Sequence, residues 1–174
     1  MGDVTKNFNK SEFNCKCCGI NLTPNSFIQE IQKIVDYIGG DYCIITSGTR
    51  CKKHDIAVGG NGKGMHTTGL AADIQISKNG IYFTSADIAE VAERLNFSGI
   101  GLIDAISCHI DKRTKLIYVN DHWFGDERTG NDNIKTFQRG TKFPGDNVNK
   151  STTHNLKVIL NGVTIIDENI KYNF

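Results

Sequence analysis

The sequence predicts an α+β fold in which amphipathic helices cover a sheet. Two stretches, residues 24–38 and 85–95, repeat apolar residues at helical spacing, and short runs rich in β-forming residues follow each of them. Of the 174 residues, 39% are hydrophobic and 22% are charged, a composition typical of globular domains. A chain of this length is expected to form one domain that buries about two-thirds of its unfolded surface.

The first helix is predicted to begin at Thr23, an N-cap residue that is followed by Pro24 at the first helical position. Its apolar residues share one face, and they are Phe27, Ile28, Ile31, Ile34, Val35 and Ile38. Residues 39–40 are both glycine, which is a strong signal for a helix end. The second helix is predicted to have Ser85 as its N-cap and to end near Leu95.

The predicted strands are short and rich in β-branched residues. Three of them are residues 42–46, 70–76 and 99–103. Residues 106–111 and 115–119 are predicted to form a hairpin. Residues 156–160 and 163–166 are predicted to form another, because the Asn-Gly pair between them supplies the left-handed residues that a two-residue turn requires.

The composition of the chain changes after Phe124. Residues 125–155 are mostly polar and are predicted to form a long loop or an extension. We therefore expect a domain of residues 1–124 and an extension of residues 125–174, which includes the last hairpin and packs on the same domain.

Charge and hydropathy exclude several classes of partner. The formal net charge is +1, so the chain has no overall field that would attract nucleic acid or anionic lipid. It has no apolar run long enough to cross a bilayer, and its polar first residues lack the apolar centre of a secretion signal. We expect a protein that is made in the cytoplasm without a signal peptide, binds neither nucleic acid nor membrane, and is a monomer.

Three side chains form the candidate metal site. His66 and Asp73 lie seven residues apart within residues 62–76, and His109 follows in the sequence CHID. Alternation along a strand would place His109 and Asp111 on one face. Zinc binds imidazole nitrogen and carboxylate oxygen, and a catalytic zinc site has three protein ligands and one open position. His66, Asp73 and His109 are therefore the predicted ligands of a Zn²⁺ ion.

Several segments, taken in order, resemble a known family. They are IITSGTRC (residues 44–51), VGG (58–60), HTTGLAADI (66–74), GIGLI (99–103) and HID (109–111). In this order and at these intervals they resemble the zinc D-alanyl-D-alanine carboxypeptidases, peptidoglycan peptidases that share a fold with hedgehog signalling domains. The resemblance covers about residues 8–124.

The resemblance implies a small antiparallel sheet with helices packed on one side, a bound zinc ion and a substrate among the stem peptides of peptidoglycan. The family includes carboxypeptidases that remove terminal D-alanine and endopeptidases that cut L-alanyl-D-glutamate, many of them from phages. We therefore expect a phage lysin or tail component, or a bacterial enzyme released by another route, that acts on the cell wall.

The resemblance also implies roles for side chains around the metal. Arg50 matches the family's arginine, which lies beside the metal and holds a substrate carboxylate. Asp111 is the preferred general base or, alternatively, a carboxylate that orients a ligand histidine. Asp104 is the other candidate base. Trp123 either anchors the core, which we favour, or lines the substrate cleft.

Two positions depart from the family pattern. Many relatives have an acidic residue or a histidine three positions before the last ligand, where this chain has Ile106, and a serine two positions before the first ligand, where it has Gly64. The missing acid favours an alternative function, a non-catalytic zinc module that binds the cell wall or a protein partner. All three ligands and Arg50 are present, so an active enzyme is the favoured hypothesis.

The six cysteines leave their own alternatives open. They are Cys15, Cys17, Cys18, Cys43, Cys51 and Cys108. The cluster at residues 15–18 could bind a second zinc ion, but structural zinc sites use four ligands, usually in two pairs, and only one group is apparent. We favour packing or a redox-dependent staple for these thiols, and a solvent-facing or hydrogen-bonded His54 over a metal ligand. A disulfide-rich binding protein is a third hypothesis, which thiol titration would test.

Overall fold

The computed structural model describes residues 2–113, 121–125, 134–150, 155–160 and 163–169. The predicted α+β class is confirmed. The helices are α1 (Asn25–Ile38), α2 (Lys52–Ala57) and α3 (Ser85–Arg94). The strands are β1 (Tyr42–Ser47), β2 (Ala71–Lys78), β3 (Ile81–Tyr82), β4 (Gly99–Leu102), β5 (Cys108–Asp111), β6 (Asp121–Phe124), β7 (Asn155–Leu160) and β8 (Val163–Asn169).

The main sheet has the strand order β1-β2-β5-β4-β6, and β3 pairs with β2. The pairs from β1 to β4 are antiparallel, as expected, whereas β6 runs parallel to β4, so the sheet is mixed. Both edges of β5 are already paired, with β2 and with β4, so β6 joins the free edge of β4 instead. The second strand of the hairpin predicted after β5, residues 115–119, lies outside the described residues.

Strand alternation gives this sheet two different faces. One face packs with α1 and α3 around the core, and its buried side chains are Ala72, Ile74, Ile76, Ile100, Leu102, Cys108 and Ile110. The residues one position along the strands point the other way, and among them are Asp73, His109 and Asp111. The core therefore lies on one face of the sheet, and the polar residues of the predicted site lie on the other.

The helices begin and end close to the predicted residues. α1 begins one residue later than predicted, with Pro24 as its N-cap, and ends at Gly39 in the left-handed conformation, with φ 81°. The prediction that Ser85 is the N-cap of α3 is wrong. The cap is Thr84, whose hydroxyl accepts a hydrogen bond from the Asp87 N–H at 3.1 Å, while the Asp87 carboxylate accepts one from the Thr84 N–H at 3.2 Å.

Residues 134–147 pack against α1 and α3. Two aromatic side chains of this stretch are buried in the core, Phe137 and Phe143. Its Asp146 carboxylate accepts a hydrogen bond from the Tyr37 hydroxyl at 2.6 Å and pairs with Arg94 at 2.8 Å. The division of the chain at position 124 stays a prediction, but this stretch shares the core of the preceding residues.

Strands β7 and β8 pair antiparallel, as predicted for the C-terminal hairpin. The Asn-Gly turn, residues 161–162, lies outside the described residues. Among the helices that the structure describes, none has the length and apolar character to span a membrane.

Candidate metal centre

A row of residues crosses the sheet on the face opposite the core. Backbone pairing aligns Asp73 with His109, His109 with Gly101, and Gly101 with Trp123. Paired residues of neighbouring strands point to the same face of a sheet, with Cβ atoms about 5 Å apart. The register therefore brings side chains of β2, β5 and β6 to one place.

His66 reaches this place from the 3-10 helix Met65–Thr68. The helix ends at Gly69 with φ 78°, and a Cβ there would lie 2.4 Å from neighbouring backbone, so glycine is required on both counts. The His66 carbonyl accepts a hydrogen bond from the Arg50 N–H at 3.0 Å. Its ring Nδ1 donates to the Gly48 carbonyl at 2.7 Å. This bond orients the ring so that its Nε2 faces the other two predicted ligands.

The three predicted ligands meet, and all three are buried. His66 Nε2 lies 3.2 Å from Asp73 Oδ1 and 3.2 Å from His109 Nδ1. His109 Nδ1 lies 2.8 Å from Asp73 Oδ1. Tetrahedral zinc with bonds of 2.0 to 2.1 Å would hold its nitrogen and oxygen ligands about 3.3 Å apart. Two imidazoles and one carboxylate at these separations fit zinc and leave a fourth position for a small molecule.

Burial and charge act in opposite directions on the pKa values of these groups. Burial alone would raise the pKa of Asp73, but hydrogen bonds from His109 and His66 hold it well below its usual range. Burial alone would lower the pKa of His109, but the carboxylates of Asp111 and Asp73 raise it to about 9. Metal binding therefore competes with a proton at His109.

Asp111 lies behind His109 as seen from the other ligands. Its Oδ2 accepts a hydrogen bond from His109 Nε2 at 3.2 Å, whereas Nδ1 of the same ring faces Asp73. Asp111 is fully buried, and Arg113 Nε donates to both of its oxygens, at 3.0 and 3.1 Å. Burial would raise the pKa of Asp111, but the bonds from His109 and Arg113 hold it well below its usual range. A carboxylate so placed orients a ligand histidine, the second of the two predicted roles.

Arg50 contacts the opposite side of the ligand group. Its Nη2 donates to Asp73 Oδ2 at 2.6 Å, while Asp73 Oδ1 faces the two histidines. Its Nε donates to Ser47 Oγ at 2.8 Å, and its Nη1 lies 3.7 Å from the buried Asp55 carboxylate. The guanidinium thus offsets the charge of the Asp73 carboxylate, a predicted ligand. Its Nη1 atom makes only the long contact with Asp55.

A cavity of about 320 Å³ opens beside the three ligands. Arg50, Trp123 and Arg113 line it, together with residues 58–61. Trp123 is buried, and its ring centre lies 5.1 Å from that of His109. It therefore packs against the predicted ligand His109 and also forms part of the cavity wall. Its role toward a substrate stays a prediction.

Asp104 lies in the turn between β4 and β5 and lines a neighbouring cavity that Arg50 and Asp73 also line. Its Oδ1 accepts hydrogen bonds from the N–H groups of Ile106 at 2.9 Å and Ser107 at 2.7 Å. These bonds hold the pKa of Asp104 below its usual value. Asp104 is thus near the site but outside the group of three ligands.

Some residues that shape the site were not predicted from the sequence. A Cβ at Gly99 would lie 2.2 Å from the Asp111 carboxylate, and a Cβ at Gly101 would lie 2.4 Å from the Trp123 indole. The alternation of glycine with an apolar residue in GIGLI was a usable signal for a strand that has no side chains on one face. Arg113 could have been found because it lies two residues after Asp111, on the same side of an extended chain.

Comparison with known proteins gives a family match. A family model described as Peptidase M15 matches residues 6–111, which is more than half of the chain and includes all three candidate ligands. No curated protein matches the chain.

Proposed function

Because this chain belongs to the Peptidase M15 family, we propose that it is a zinc-dependent peptidase that hydrolyses the stem peptides of peptidoglycan. One observation carries the proposal. The side chains of His66, Asp73 and His109 meet within 3.2 Å of one another beside a cavity of about 320 Å³. Cavities that bind small ligands have volumes of this order.

The chain's own residues would hold and orient the metal ligands. The Gly48 carbonyl fixes the tautomer of His66, and Asp111 does the same for His109. When bound, zinc lowers the pKa of a water molecule toward neutrality and polarises a peptide carbonyl. Arg50 donates a hydrogen bond to the outer oxygen of Asp73, which offsets the negative charge of this buried carboxylate.

Arg50 is also the residue that we propose to bind a substrate carboxylate. It lines the cavity, and its Nη1 has a 3.7 Å contact with Asp55 that is too long for a hydrogen bond. A carboxylate in the cavity can accept a hydrogen bond from this edge without displacing the short bonds to Asp73 and Ser47. Stem peptides present free carboxylates near D-amino acids, which this arrangement would select.

Asp104 is the carboxylate that we propose for proton transfer. Asp111 already accepts bonds from His109 and Arg113 and lies on the far side of the ligand ring. Both backbone bonds to Asp104 go to its Oδ1, and it lines a cavity together with Arg50. Its Oδ2 is thus the better placed of these carboxylate oxygens to accept a proton from water.

The experiment is incubation of the purified chain with muropeptides, with and without a chelator, followed by mass analysis of the products. Loss of a terminal D-alanine that stops with chelator and returns with zinc would identify a carboxypeptidase. Chelator-sensitive cleavage between L-alanine and D-glutamate would identify an endopeptidase. His109→Ala is the control, since it should abolish either product.

A second candidate is a non-catalytic zinc module that binds the cell wall or a protein partner. Ile106 stands where many relatives have an acid, and Asp111 is engaged by Arg113, which favours this alternative. A chain that binds zinc and sedimentable cell wall but yields no product from any muropeptide would support it over the peptidase.

The place of action that we propose is the bacterial cell wall, because that is where peptidoglycan is found. Release from a phage-infected cell, or delivery as part of a phage tail, would bring the protein there. Lysis of intact cells by added protein, compared with its action on isolated walls, would show whether it reaches the wall unaided.

A further inference from the structure

A second group of metal-binding side chains lies near the N-terminus and near Arg50. The sulfur atoms of Cys15, Cys18 and Cys51 all lie within 4.8 Å of one another. The Nδ1 atom of His54 lies 3.4 Å from Cys15 Sγ. His54 thus adds a nitrogen donor beside one of the three sulfurs, and none of these four residues belongs to the candidate site described above.

These four residues form two pairs with the same spacing. Cys15 and Cys18 are separated by two residues, as are Cys51 and His54. Structural zinc sites are commonly built from two such pairs, and three cysteines with one histidine are a known ligand set. The fold brings the pairs together, because the Cys51 N–H donates to Cys15 Sγ at 3.3 Å.

The distances are close to those that tetrahedral zinc would require. Bonds of 2.3 Å to sulfur and about 2.1 Å to nitrogen place two sulfurs about 3.8 Å apart, and a sulfur and a nitrogen about 3.6 Å apart. The observed 3.4 Å between Cys15 Sγ and His54 Nδ1 is close to the required value. The three sulfurs, which lie within 4.8 Å of one another, can reach theirs by side-chain rotation.

Backbone N–H groups donate hydrogen bonds to two of the three sulfur atoms. The His54 N–H donates to Cys51 Sγ at 3.4 Å, and N–H groups of the loop donate to Cys15. Thiolate is the form in which cysteine binds zinc.

We propose that Cys15, Cys18, Cys51 and His54 bind a structural zinc ion. Each thiol that is still protonated loses its proton to solvent when the metal binds, so no oxidant or reductant is needed. The ion joins the N-terminal loop to the segment that carries Arg50, one residue before Cys51. It therefore fixes the residue that neutralises Asp73 without touching substrate itself.

The first test is the zinc content of the full chain, purified with a thiol reductant and dialysed free of excess metal. We expect two zinc ions per chain for the native sequence, one for Cys18→Ser and one for His109→Ala, because each variant removes a different site. Cys17→Ser is the matched control, since Cys17 is an exposed neighbouring thiol outside the group of three sulfurs. It should keep both ions.

Cobalt substitution identifies which site is filled. Thiolate bound to Co²⁺ gives an intense charge-transfer absorption in the near ultraviolet, which a site of imidazole and carboxylate lacks. We expect this band in the native chain and in His109→Ala, and its loss in Cys18→Ser. His54→Cys supplies a fourth thiolate and should strengthen the band, which keeps the proposal testable if Cys18→Ser fails to fold.

Absence of the band in the reduced native chain would overturn the proposal, as would its loss in Cys17→Ser but not in Cys18→Ser. A disulfide between two of the three cysteines in the freshly purified chain, detected by mass after alkylation, would also overturn it. This test is independent of the proposed peptidase activity, because the cobalt–thiolate absorption is also measured in His109→Ala, which lacks a ligand of the proposed hydrolytic site.

Discussion

The two nitrogens of the His109 ring have different partners, since Nε2 contacts Asp111 and Nδ1 faces Asp73. The loss of His109 and the loss of Asp111 should therefore affect zinc binding differently. His109→Ala removes a ligand, so zinc binding at the catalytic site should be lost together with hydrolysis. Asp111→Asn keeps the shape but weakens the bond that orients the ring, so zinc affinity should fall about 10- to 100-fold. Competition with a chromophoric chelator measures both.

Circular dichroism should show that both variants are folded. Loss of zinc from Asp111→Asn as complete as from His109→Ala would show that Asp111 is a ligand or an essential support of the site. Zinc affinity unchanged in Asp111→Asn would remove its orienting role.

Asp104 gives a second prediction for a single residue. Asp104→Asn can still accept the two backbone hydrogen bonds through its amide oxygen, so the turn should persist. If Asp104 transfers the proton, kcat should fall about 100- to 10,000-fold with zinc content unchanged. Steady-state kinetics on the cleaved muropeptide, with metal analysis of the same sample, is the measurement. An unchanged kcat would make Asp104 a turn residue only.

Strand β4 contributes no functional side chain to the site, but its glycines leave room for side chains of the neighbouring strands. Gly99 and Gly101 leave one face of the strand bare, and the side chains of Asp111 and Trp123 lie over them. Gly99→Ala or Gly101→Ala should therefore overpack the site, lower the free energy of unfolding by about 1 to 3 kcal/mol and weaken zinc binding. Urea unfolding and chelator competition measure the two effects.

Gly80→Ala is the matched control for these variants. Gly80 has φ 78° with nothing within 4 Å of an added Cβ, so its replacement should cost about 1 kcal/mol from backbone strain alone. Its zinc affinity should equal that of the native chain. Normal zinc affinity in Gly101→Ala would show that Trp123 can move without disturbing His109.

The contact of residues 134–147 with α1 and α3 predicts a pH dependence. Hydrogen bonds from Tyr37 and the Phe143 N–H, with the charge of Arg94, lower the pKa of Asp146 to about 2. A carboxyl group whose pKa is lower in the folded state stabilises the fold at pH values above its pKa in the unfolded chain, which is about 4 for Asp. This stabilisation is lost as the pH falls toward 2. Asp146→Asn should cost about 1 to 2 kcal/mol at pH 7, since the carboxylate is partly exposed.

Urea unfolding of the native chain and Asp146→Asn at pH 7, 5 and 3 is the measurement. The difference in unfolding free energy should be equal at pH 7 and 5 and smaller at pH 3. A difference that grows toward acid would contradict the assignment of the lowered pKa to Asp146.

The stability of the whole molecule depends on residues beyond the sheet that carries the candidate metal site. A chain of residues 1–150 keeps the buried Phe137 and Phe143, whereas a chain of residues 1–124 lacks both. Loss of a buried phenylalanine side chain costs about 3 to 5 kcal/mol, so losing both approaches the total stability of a domain. We expect cooperative thermal unfolding and zinc binding for 1–150, and neither for 1–124. A folded, active 1–124 would show residues 125–174 to be an appendage.

The sequence was sufficient for the main elements and for the three residues that meet in the candidate metal site. The apolar spacing of α1 and α3 and the β-branched runs of β1 and β2 are local patterns, and local patterns decide secondary structure. His66, Asp73 and His109 were identified because their residue types and surrounding segments match a family pattern. Ser85 was wrongly taken as a cap because Thr84 and Ser85 are both good N-cap residues and only the backbone shows which one is used.

Only the tertiary structure decided which side chains face one another. The parallel pairing of β6 with β4, the position of Asp111 behind His109 and the meeting of Cys15 with His54 depend on strand register and loop packing between residues far apart in the chain. Residue type fixes which ligand atoms the chain offers. The coordinates of those atoms come from long-range packing, which no single stretch of sequence contains.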